Sequence, residues 1–592
     1  MIKGYTAERN AQMLIFLMKA HGVRKVIASP GSTNITVVRS LQQDPWFEIY
    51  SSVDERSAAY IACGMAAESG EPVALSCTGA TASRNYVPGL TEAFYRKLPV
   101  LAITSTPHFG RVGQNIPQMT DRSRPMPDIA RCSVQIPTIH NADDEWASNV
   151  LINKALLGLR RHGGGPVHID LVTHWNPDFS LEKLPDYRVI YRIDNTGSRP
   201  PLPKGRIAIF VGAHKPWDGE LIQLVDRFCE RYNAVVLCDH TSNYQGKYGV
   251  YPNILTDQKA VYSPLEQVDL MRHIDLMIHL GDVSGAYMSV FPKEVWRVHP
   301  DGEIRDTFRT LTYVFEMEEA AFFRDCDAPG AGAPDTPDTS YCEAWRAETS
   351  RLREKIPELP FSNPWIAQQT ISRLPKNCRL HLGILNSLRS WNYFERDSSI
   401  LGFCNTGGFG IDGCVSSLLG ASLASPEKLF FGVIGDLAFF YDLNAIGNRH
   451  VGPNLRILLI NNGKGVEFRK YDHRANQLGD EADKYIAAGG HYGNKSPALV
   501  RHYAQDLGFL YLSAASKEEY RKHLEVFTSP ERLDKPILLE AFTDSELESE
   551  ALRVICQLEV PQKDFVVKAA KSTVKNILGE KGTAALRKII RP

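Results

Sequence analysis

The chain lacks the patterns that mark several large classes of protein. No HExxH, Walker A or Ser-His-Asp pattern occurs, so nothing indicates a zinc peptidase, a P-loop NTPase or a serine hydrolase. The eleven cysteines include no CxxC pair, which is typical of reduced thiols in a cytoplasmic protein rather than of disulfides or a zinc site. The net charge of −1 argues against nucleic-acid binding. Near the N-terminus, the apolar run Met13 to Met18 is far too short to span a bilayer.

Helical and strand patterns alternate along the chain, which predicts consecutive α/β domains with mostly parallel sheets. The length of 592 residues suits about three or four domains at roughly 150 residues each. A proline-bearing stretch at 184–204 and a Pro-, Gly- and Asp-rich stretch at 325–340 have the composition of linkers. We therefore predict a first α/β domain (1–185), a central α/β domain (205–325), a linker (326–344), a third α/β domain (345–545) and a basic helical C-terminal tail (546–592).

The third domain carries the most informative stretch, Gly435-Asp436-Leu437, directly after the predicted buried strand Lys428–Ile434. The next predicted strand, Leu455–Ile460, ends in Asn461-Asn462. Ligands bind beyond the carboxyl ends of parallel strands, so these side chains can supply hard oxygen ligands to Mg²⁺ beside a diphosphate. The alternative is that Asp436 caps a helix and that Asn-Asn-Gly is an ordinary loop. The two fragments together favour a metal–diphosphate site.

Three predicted strand ends in the first domain also carry small, polar or acidic residues. Glu55 follows one strand, Ser29-Pro30-Gly31-Ser32 follows a second, and Cys77-Thr78-Gly79-Ala80 follows a third. Taken alone, a carboxylate in the first turn of a helix is a surface group that the helix dipole favours. The three strand ends together indicate one rim of a ligand site.

These motifs resemble those of enzymes that depend on thiamine diphosphate (ThDP), whose signature begins Gly-Asp-Gly and ends Asn-Asn. The three-domain order is similar to their pyrimidine-binding, central and diphosphate-binding domains. The resemblance is to the menaquinone-pathway carboligases that make 2-succinyl-5-enolpyruvyl-6-hydroxy-3-cyclohexene-1-carboxylate, and it covers about residues 1–545. The motifs that carry it are SPGS (29–32), VDERSAAY (53–60), CTGATASRNYVPGLTEA (77–93), Asn386-Ser387-Leu388, GIDG (410–413) and GDLAFFYDLNAI (435–446).

The resemblance implies a role for each matching residue. Glu55 would hydrogen-bond the aminopyrimidine ring and promote loss of the thiazolium C2 proton, and Ile411 would support the bent cofactor. Asp436, Asn462 and the carbonyl of Lys464 would hold Mg²⁺. Further cofactor contacts are implied for Ser29, Pro30, Gly31, Thr78, Asn386, Ser387, Gly410, Gly435 and Leu437. A homodimer or homotetramer is also implied, because such enzymes form each site between two subunits.

Three arginines that surround the anionic substrates of the menaquinone-pathway enzymes are missing here. Thr33 and Thr406 stand at two of their positions, and the third falls near Trp391, with Arg389 close by. Because guanidinium groups bind carboxylates through paired hydrogen bonds, we predict a less acidic substrate pair than isochorismate and 2-oxoglutarate.

Candidate substrate contacts come from the loop after the fourth strand and from the neighbourhood of these positions. They are Ser32, His108, Arg111, Gln114, Asn115, Gln118, Arg389 and Trp391. The sequence leaves open which glutamine points inward. It also leaves open whether Arg111 binds the donor carboxylate or is a solvated loop residue.

The resulting hypothesis is a carboligase that decarboxylates a 2-oxo acid and transfers the acyl carbanion to a carbonyl or enone acceptor. One alternative is a decarboxylase that only protonates the carbanion, and another is a true synthase of the menaquinone pathway. A third is a regulator without catalysis. The absence of an adjacent-histidine pair favours ligation, and the intact Glu55, Asp436 and Asn462 argue against the regulator.

Three remaining patterns concern other ligands. The GxGxxG pattern at 408–413 is typical of a dinucleotide site, but we interpret its glycines as close-approach positions at ThDP. Phe210–His214 could indicate FAD in the central domain, which is not favoured over a purely structural domain. The basic amphipathic tail could contact an anionic membrane surface or a partner, although packing on its own protein is favoured. Its likeness to tails of bacterial surface-polysaccharide proteins suggests a keto-sugar acceptor, in cell-surface sugar or secondary-metabolite synthesis.

Overall fold

The computed structural model describes residues 4–258, 273–286, 288–328, 338–491 and 495–559. The chain divides into two compact units. The first unit contains the described residues up to Ser198 together with Asp301–Glu316, and the second contains Arg199–Pro300 together with the described residues from Met317 onward.

The first unit is built on a six-stranded sheet whose strands are all parallel. Its strands are β1 Lys25–Ala28, β2 Glu48–Ser51, β3 Val73–Thr78, β4 Val100–Thr106, β5 Cys132–Ile136 and β6 Val167–Val172. Their order across the sheet is β2-β1-β3-β4-β6-β5. The helices are α1 Arg9–Ala20, α2 Ile35–Gln43, α3 Glu55–Ser69, α4 Ala80–Asn85, α5 Val87–Tyr95 and α6 Ala142–Gly158.

Both faces of this sheet are buried. One apolar cluster joins α1 and α6 to one face, and a second cluster joins α3 and α5 to the other. β3 and β4 are therefore buried along nearly their whole length, because side chains on both faces are covered.

The predicted linker at 184–204 contains a strand that the sequence analysis did not predict. β7 (Tyr191–Asp194) pairs in parallel with β13 (Leu311–Glu316), a segment that lies more than a hundred residues later in the chain. β7 is short and half exposed, so its local sequence has no apolar run that would indicate a strand. The linker prediction is therefore wrong at this point.

The second unit contains two further parallel sheets, so the predicted fold class is confirmed. Strands β8 Ile207–Val211, β9 Ala234–Leu237, β10 Gly249–Val250, β11 Leu276–Leu280 and β12 Glu294–Val298 form the order β10-β9-β8-β11-β12. Strands β14 Arg379–Leu382, β15 Leu401–Phe403, β16 Phe430–Gly435, β17 Leu455–Asn461, β18 Leu510–Ala514 and β19 Ile537–Phe542 form the order β15-β14-β16-β17-β19-β18.

The helices of the second unit surround these sheets. In chain order they are α7 Gly219–Tyr232, α8 Asn253–Thr256, α9 Glu319–Asp327, α10 Ser340–Glu354, α11 Asn363–Thr370, α12 Asn386–Trp391, α13 Cys414–Ala424, α14 Asp436–Tyr441, α15 Glu481–Tyr485, α16 Leu499–Asp506, α17 Lys517–Thr528 and α18 Ser545–Ile555. Within the predicted linker at 326–344, helix α9 ends at Asp327 and helix α10 begins at Ser340. The part of the predicted tail from residue 560 onward lies outside the described residues.

Two further findings concern the cysteines and the helices. All eleven cysteines are free thiols. Over the described ranges, none of the helices combines the length and the apolar character needed to cross a membrane.

Candidate functional site

The ends of β16 and β17 lie side by side in the second unit. The two strands pair in parallel with Gly435 opposite Ile460, so the residues that follow each strand emerge at the same edge of the sheet. Asp436 is the first residue of α14, and its Oδ1 accepts the Leu437 N–H at 2.9 Å. Its Oδ2 accepts the Gly463 N–H at 2.7 Å, which joins the two strand ends directly.

The Asp436 carboxylate has an environment that suits a cation. Only 5% of the residue is exposed, and no Lys, Arg or His forms an ion pair with it within the described ranges. Burial raises the pKa of Asp436 to about 7, and the nearby Glu540 carboxylate acts in the same direction. A divalent cation beside this group would stabilise its charged form, so the residues present fit a metal such as Mg²⁺. The described part of the chain holds no cluster of three His, Cys, Asp or Glu residues, and therefore no all-protein metal cage.

The loop after β17 presents the other predicted metal ligands. Asn462 is half-buried, and its Oδ1 accepts the Lys464 N–H at 3.4 Å. The Lys464 ammonium pairs with Asp483 at 2.5 Å, so it is occupied elsewhere and does not neutralise Asp436. The neighbouring Asn461 makes a different contact, because its Nδ2 donates to Glu540 at 2.7 Å.

Asn386 and Ser387 lie at a neighbouring strand–helix turn. Asn386 begins α12 after Leu385, a non-glycine residue held at φ +68°, where an L-residue is strained. The buried Oδ1 of Asn386 has no hydrogen-bond partner in the part of the chain that the structure describes. A buried acceptor without a donor costs free energy unless a ligand satisfies it. This orphaned oxygen therefore fits a bound polar group such as ThDP supplies.

Glu548 is a buried residue of this site that the sequence analysis missed. Both of its carboxylate oxygens accept the Asn363 N–H at 3.0 Å, and Thr543 Oγ1 donates to it at 2.7 Å. Burial raises the pKa of Glu548 to about 7, and the charge of Asp436 contributes in the same direction. Glu548 lies on α18 at helical spacing from the buried Ala551, Leu552 and Ile555, and this spacing is the local signal that could have indicated its burial.

The remaining cofactor candidates of the second unit surround the same strand ends. Ile411 is half-buried and packs against the apolar cluster that includes Phe439. Gly410 is close to Asp412, since a Cβ at this glycine would lie 2.3 Å from Asp412 Oδ1. Gly435 ends β16, and Leu437 follows Asp436 in α14.

The first unit presents the other candidate rim. Asp54 caps α3: its carboxylate accepts the Arg56 N–H at 3.0 Å and the Ser57 hydroxyl at 2.9 Å. Glu55 is then the first residue of the helix and is half-buried, without serving as the cap. Asp54 is the cap, and Glu55 lies in the first turn, where the helix dipole favours a carboxylate, so the role of Glu55 at the cofactor stays a prediction.

The strand ends beside Glu55 are closely packed. β1 and β3 pair in parallel, with Ala28 opposite Ser76, so Ser29 and Thr78 emerge at the same edge of the sheet. Ser29 is buried, Pro30 is exposed, and Ser32 is half-buried. A Cβ at Gly31 would lie 2.8 Å from Thr78 Cβ, so glycine is required for this approach.

The loop after β4 holds five of the candidate substrate residues. His108, Arg111, Gln114, Asn115 and Gln118 are all exposed, and the structure does not distinguish which glutamine points inward. His108 Nδ1 accepts the Gly110 N–H at 3.0 Å at the start of a single 3-10 turn.

The positions of the missing arginines are filled by packed residues. Thr33 is buried; its hydroxyl donates to the Ser105 carbonyl at 2.9 Å and lies 2.5 Å from Thr78 Oγ1. Thr406 is also buried. Trp391 is completely buried, and its indole N–H donates to Asn363 Oδ1 at 3.1 Å, so its placement gives no support to a substrate contact. Arg389 is paired with Glu467 through two hydrogen bonds of 2.6 and 3.1 Å.

A buried ion pair supports the rim of the first unit and was also missed. Arg122 Nη2 donates to Asp170 Oδ1 at 2.9 Å, with 5% and 2% of the two side chains exposed. Thr104 Oγ1 donates to the same oxygen at 3.1 Å. A Cβ at Gly79 would lie 3.0 Å from Arg122 Nη1, so the guanidinium lies against the turn that follows Thr78.

In the central segment, Gly212 and His214, which belong to the FAD candidate stretch, contact other residues of the protein. A Cβ at Gly212 would lie 2.0 Å from the Asp282 carbonyl oxygen, so this glycine serves a close contact with the chain's own backbone. His214 Nε2 lies 2.8 Å from Glu319 Oε2, and its ring contacts Trp217.

Comparison with known proteins identifies the class of protein. The family "Thiamine pyrophosphate enzyme, N-terminal TPP binding domain" matches residues 9–124. A 2-succinyl-5-enolpyruvyl-6-hydroxy-3-cyclohexene-1-carboxylate synthase of Bacteroides fragilis is 33% identical over 93% of this chain and 98% of its own length. The enzyme of the same name from Bacteroides thetaiotaomicron is 32% identical over the same shares. The solved thiamine diphosphate-dependent 4-hydroxybenzoylformate decarboxylase of Rhodococcus jostii RHA1 is 15% identical, with 90% of this chain and 99% of that chain covered at a TM-score of 0.37.

The chain therefore belongs to the family of thiamine-diphosphate-dependent enzymes. Within it, the chain is similar along its full length to the 2-succinyl-5-enolpyruvyl-6-hydroxy-3-cyclohexene-1-carboxylate synthases, which confirms the resemblance stated from the motifs.

Proposed function

We propose that this protein is a carboligase that uses ThDP and Mg²⁺ to decarboxylate a 2-oxo acid and join the remaining acyl group to a carbonyl or enone acceptor. ThDP, when bound, acts as the electron sink for the carbon that loses CO₂. The bond between that carbon and the carboxylate breaks, and CO₂ leaves. The electron pair then forms the new C–C bond to the acceptor, whose oxygen takes up a proton.

The buried Asp436 carboxylate carries this proposal. It lies between two strand ends, accepts only backbone N–H groups and has no cationic side chain beside it in the described part of the chain. A charge buried in this way is costly unless a cation compensates it. We assign Mg²⁺ to Asp436, Asn462 and the Lys464 carbonyl, and the cofactor's polar groups to the neighbourhood of Asn386.

Release of CO₂ tests this function. A panel of 2-oxo acids is incubated with the protein, ThDP and Mg²⁺, with and without aldehyde and ketone acceptors, and CO₂ and coupled product are measured together. The proposal predicts CO₂ release matched by a new C–C product when an acceptor is present. CO₂ with only the aldehyde of the donor would indicate a non-ligating decarboxylase, and no turnover with any donor would contradict an enzymatic role.

A second candidate is the reaction named for the relatives. Identity of 33% over 98% of the Bacteroides fragilis enzyme favours it, while the absence of arginine at Thr33, Thr406 and Trp391 favours a less acidic substrate pair. Including isochorismate and 2-oxoglutarate in the panel decides between the two, since the second candidate requires that pair to be the best one.

We further propose a homodimer or a dimer of dimers. The resemblance implies that Glu55 and Asp436 act on one cofactor from different subunits. Three apolar side chains on or beside α3 support an interface around Glu55, because they are unusually exposed: Val53 at 84%, Tyr60 at 48% and Ile61 at 46%. FAD is not part of this proposal, since Gly212 and His214 are engaged by the protein itself.

A further inference from the structure

A cavity of about 330 Å³ lies within the second unit. Its polar lining includes Asn253, Asp257, Arg389, Tyr393, Lys470 and Asp472, and we call it the Arg389 cavity. Two of its walls continue directly from the candidate cofactor site. Arg389 lies one helical turn after Asn386 on α12, and Lys470 follows the loop that carries Asn462 and Lys464. Leu385, which directly precedes Asn386, also lines the cavity, so the cavity adjoins a candidate cofactor residue.

The two cationic side chains that line the Arg389 cavity, Arg389 and Lys470, each form an ion pair with a carboxylate. Arg389 donates to both oxygens of Glu467, at 2.6 and 3.1 Å, and both side chains are largely buried, with 18% and 19% exposed. Lys470 Nζ lies 3.0 Å from Asp472 Oδ1. Glu467 takes the end-on fork formed by Nη1 and Nη2 of Arg389 and neutralises its charge, so a carboxylate that entered the cavity would have to compete with Glu467 for this guanidinium.

The acids and amides of the cavity point to a different ligand chemistry. Asn253 is 4% exposed, and its Oδ1 is buried without a hydrogen-bond partner among the residues that the structure describes. An amide oxygen accepts hydrogen bonds and needs a donor. A hydroxyl group supplies one, whereas an ionised carboxylate has only acceptors. Asp257, which also lines the cavity, accepts the Tyr393 hydroxyl at 2.9 Å. Its carboxylate adds negative charge to the lining.

We propose that the Arg389 cavity binds the acceptor as a neutral, hydroxyl-bearing aldehyde or ketone, and that Glu467 excludes carboxylated acceptors by occupying Arg389. This inference rests on the proposed carboligase function and names the substrate class of its second substrate. Glu467 acts here as a specificity residue through Arg389, while Asn253 binds the terminal hydroxyl of the acceptor, which a carboxylated acceptor lacks.

A matched pair of acceptors tests the proposal. Glyceraldehyde and tartronate semialdehyde have the same carbon skeleton, but the second carries a carboxylate in place of the CH₂OH group. With a donor that releases CO₂, the native protein should use glyceraldehyde with a kcat/KM at least about tenfold higher. Glu467→Gln should move this ratio toward tartronate semialdehyde by at least about tenfold, because it frees the guanidinium of Arg389.

Glu348→Gln is the matched control, because Glu348 makes a similar two-bond pair with Arg351 on α10, at 2.9 and 2.6 Å. It should leave the acceptor ratio unchanged. Removing one partner of a buried pair can unfold a protein, so Asn253→Leu serves as a second variant. It should lower kcat/KM for glyceraldehyde at least about tenfold and leave tartronate semialdehyde unaffected.

Donor decarboxylation is recorded in the same samples, so failure of the proposed function is distinguishable. No CO₂ from any donor would contradict that function, and calorimetric binding of the two acceptors to the cofactor-loaded protein would then decide the cavity proposal by the same ratios. Normal CO₂ release with a native preference for tartronate semialdehyde, or with a ratio that a folded Glu467→Gln variant does not move, would overturn the cavity proposal alone.

Discussion

At the scale of single residues, the candidate site contains a few buried polar groups whose charge or hydrogen-bonding capacity is not satisfied by the described part of the chain. Asp436 is buried with only backbone donors, and Asn386 Oδ1 is buried with no donor in the described part of the chain. Such groups are tolerated where a ligand completes them.

Glu55 provides the first prediction at this scale. We expect Glu55→Gln to slow hydrogen–deuterium exchange at C2 of bound ThDP by a factor on the order of 10² or more, since a positioned acid–base group is lost. The affinity for ThDP should stay close to that of the native protein. Exchange is measured by proton NMR after an acid quench.

Glu68→Gln serves as the control for this prediction, because Glu68 is an exposed acid on the same helix α3. It should leave the exchange rate unchanged. Native-like exchange in Glu55→Gln would remove Glu55 from its proposed role.

At the scale of elements, buried polar contacts join neighbouring strands of the first unit's sheet. Arg122 and Asp170 form an ion pair beside β4 and β6, and His168 on β6 lies 2.8 Å from both Thr104 Oγ1 and Ser133 Oγ. These contacts connect the strand ends that form the rim near Thr78. Two predictions test how much they contribute.

Asp170→Asn should destabilise the first unit by about 3–5 kcal/mol, because it leaves the Arg122 charge buried without its partner. Equilibrium unfolding in urea, followed by far-UV circular dichroism, measures this loss. Glu48→Gln removes the partner of Arg24 from an exposed pair, with 53% and 38% of the side chains exposed, and should change the free energy of unfolding by less than about 1 kcal/mol. Equal losses in the free energy of unfolding for the two variants would contradict a larger contribution from the buried pair.

His168 gives the second prediction at the element scale, through pH. Burial lowers the pKa of His168 to about 4, while in the unfolded chain the ordinary value of about 6.5 applies. The unfolded state therefore binds the proton first, and the stability supplied by neutral His168 is complete above about pH 6.5 and is lost as the pH falls toward 4, at about 1.4 kcal/mol per pH unit.

Comparison of urea unfolding curves for the native protein and His168→Gln between pH 7.5 and 5 isolates this contribution. The variant should be less stable at pH 7.5 and should lose less stability on acidification. Parallel pH dependences in the two proteins would contradict the assignment.

At the scale of the whole molecule, the sequence predicted what is local and missed what is distant in the chain. The buried strands β3, β4, β8 and β17 each contain an apolar run of three to five residues, so they and the polar residues at their ends were predictable. β7 was interpreted as linker, because its partner β13 is far along the chain and β7 itself is short and polar.

The missed parts of the candidate site have the same physical cause. Glu548 reaches its partners near Asn386 from α18, and Arg122 reaches Asp170 from a loop, so each role depends on tertiary packing. The Arg389–Glu467 pair likewise joins residues of no shared local pattern. The sequence could mark Arg389 as a candidate, but it could not indicate that a carboxylate already occupies it.

The proposed assembly yields a prediction at this scale. If each site takes Glu55 and Asp436 from different subunits, mixing inactive Glu55→Gln and Asp436→Ala proteins after reversible dissociation should restore about a quarter of the native activity, because random pairing leaves one intact site in half of the dimers. Decarboxylation is measured before and after mixing. No recovery, with exchange of subunits verified by mass, would place both residues of a site in one subunit.

Anchoring of ThDP by Asp436 through a divalent cation can be measured by isothermal titration calorimetry. ThDP is titrated into the native protein and into Asp436→Ala, each with Mg²⁺ and with EDTA. The account predicts saturable binding only for the native protein with Mg²⁺, and a loss of affinity of at least about a hundredfold in the variant. Equal affinity in Asp436→Ala, or binding by the native protein that is as tight in EDTA, would contradict it.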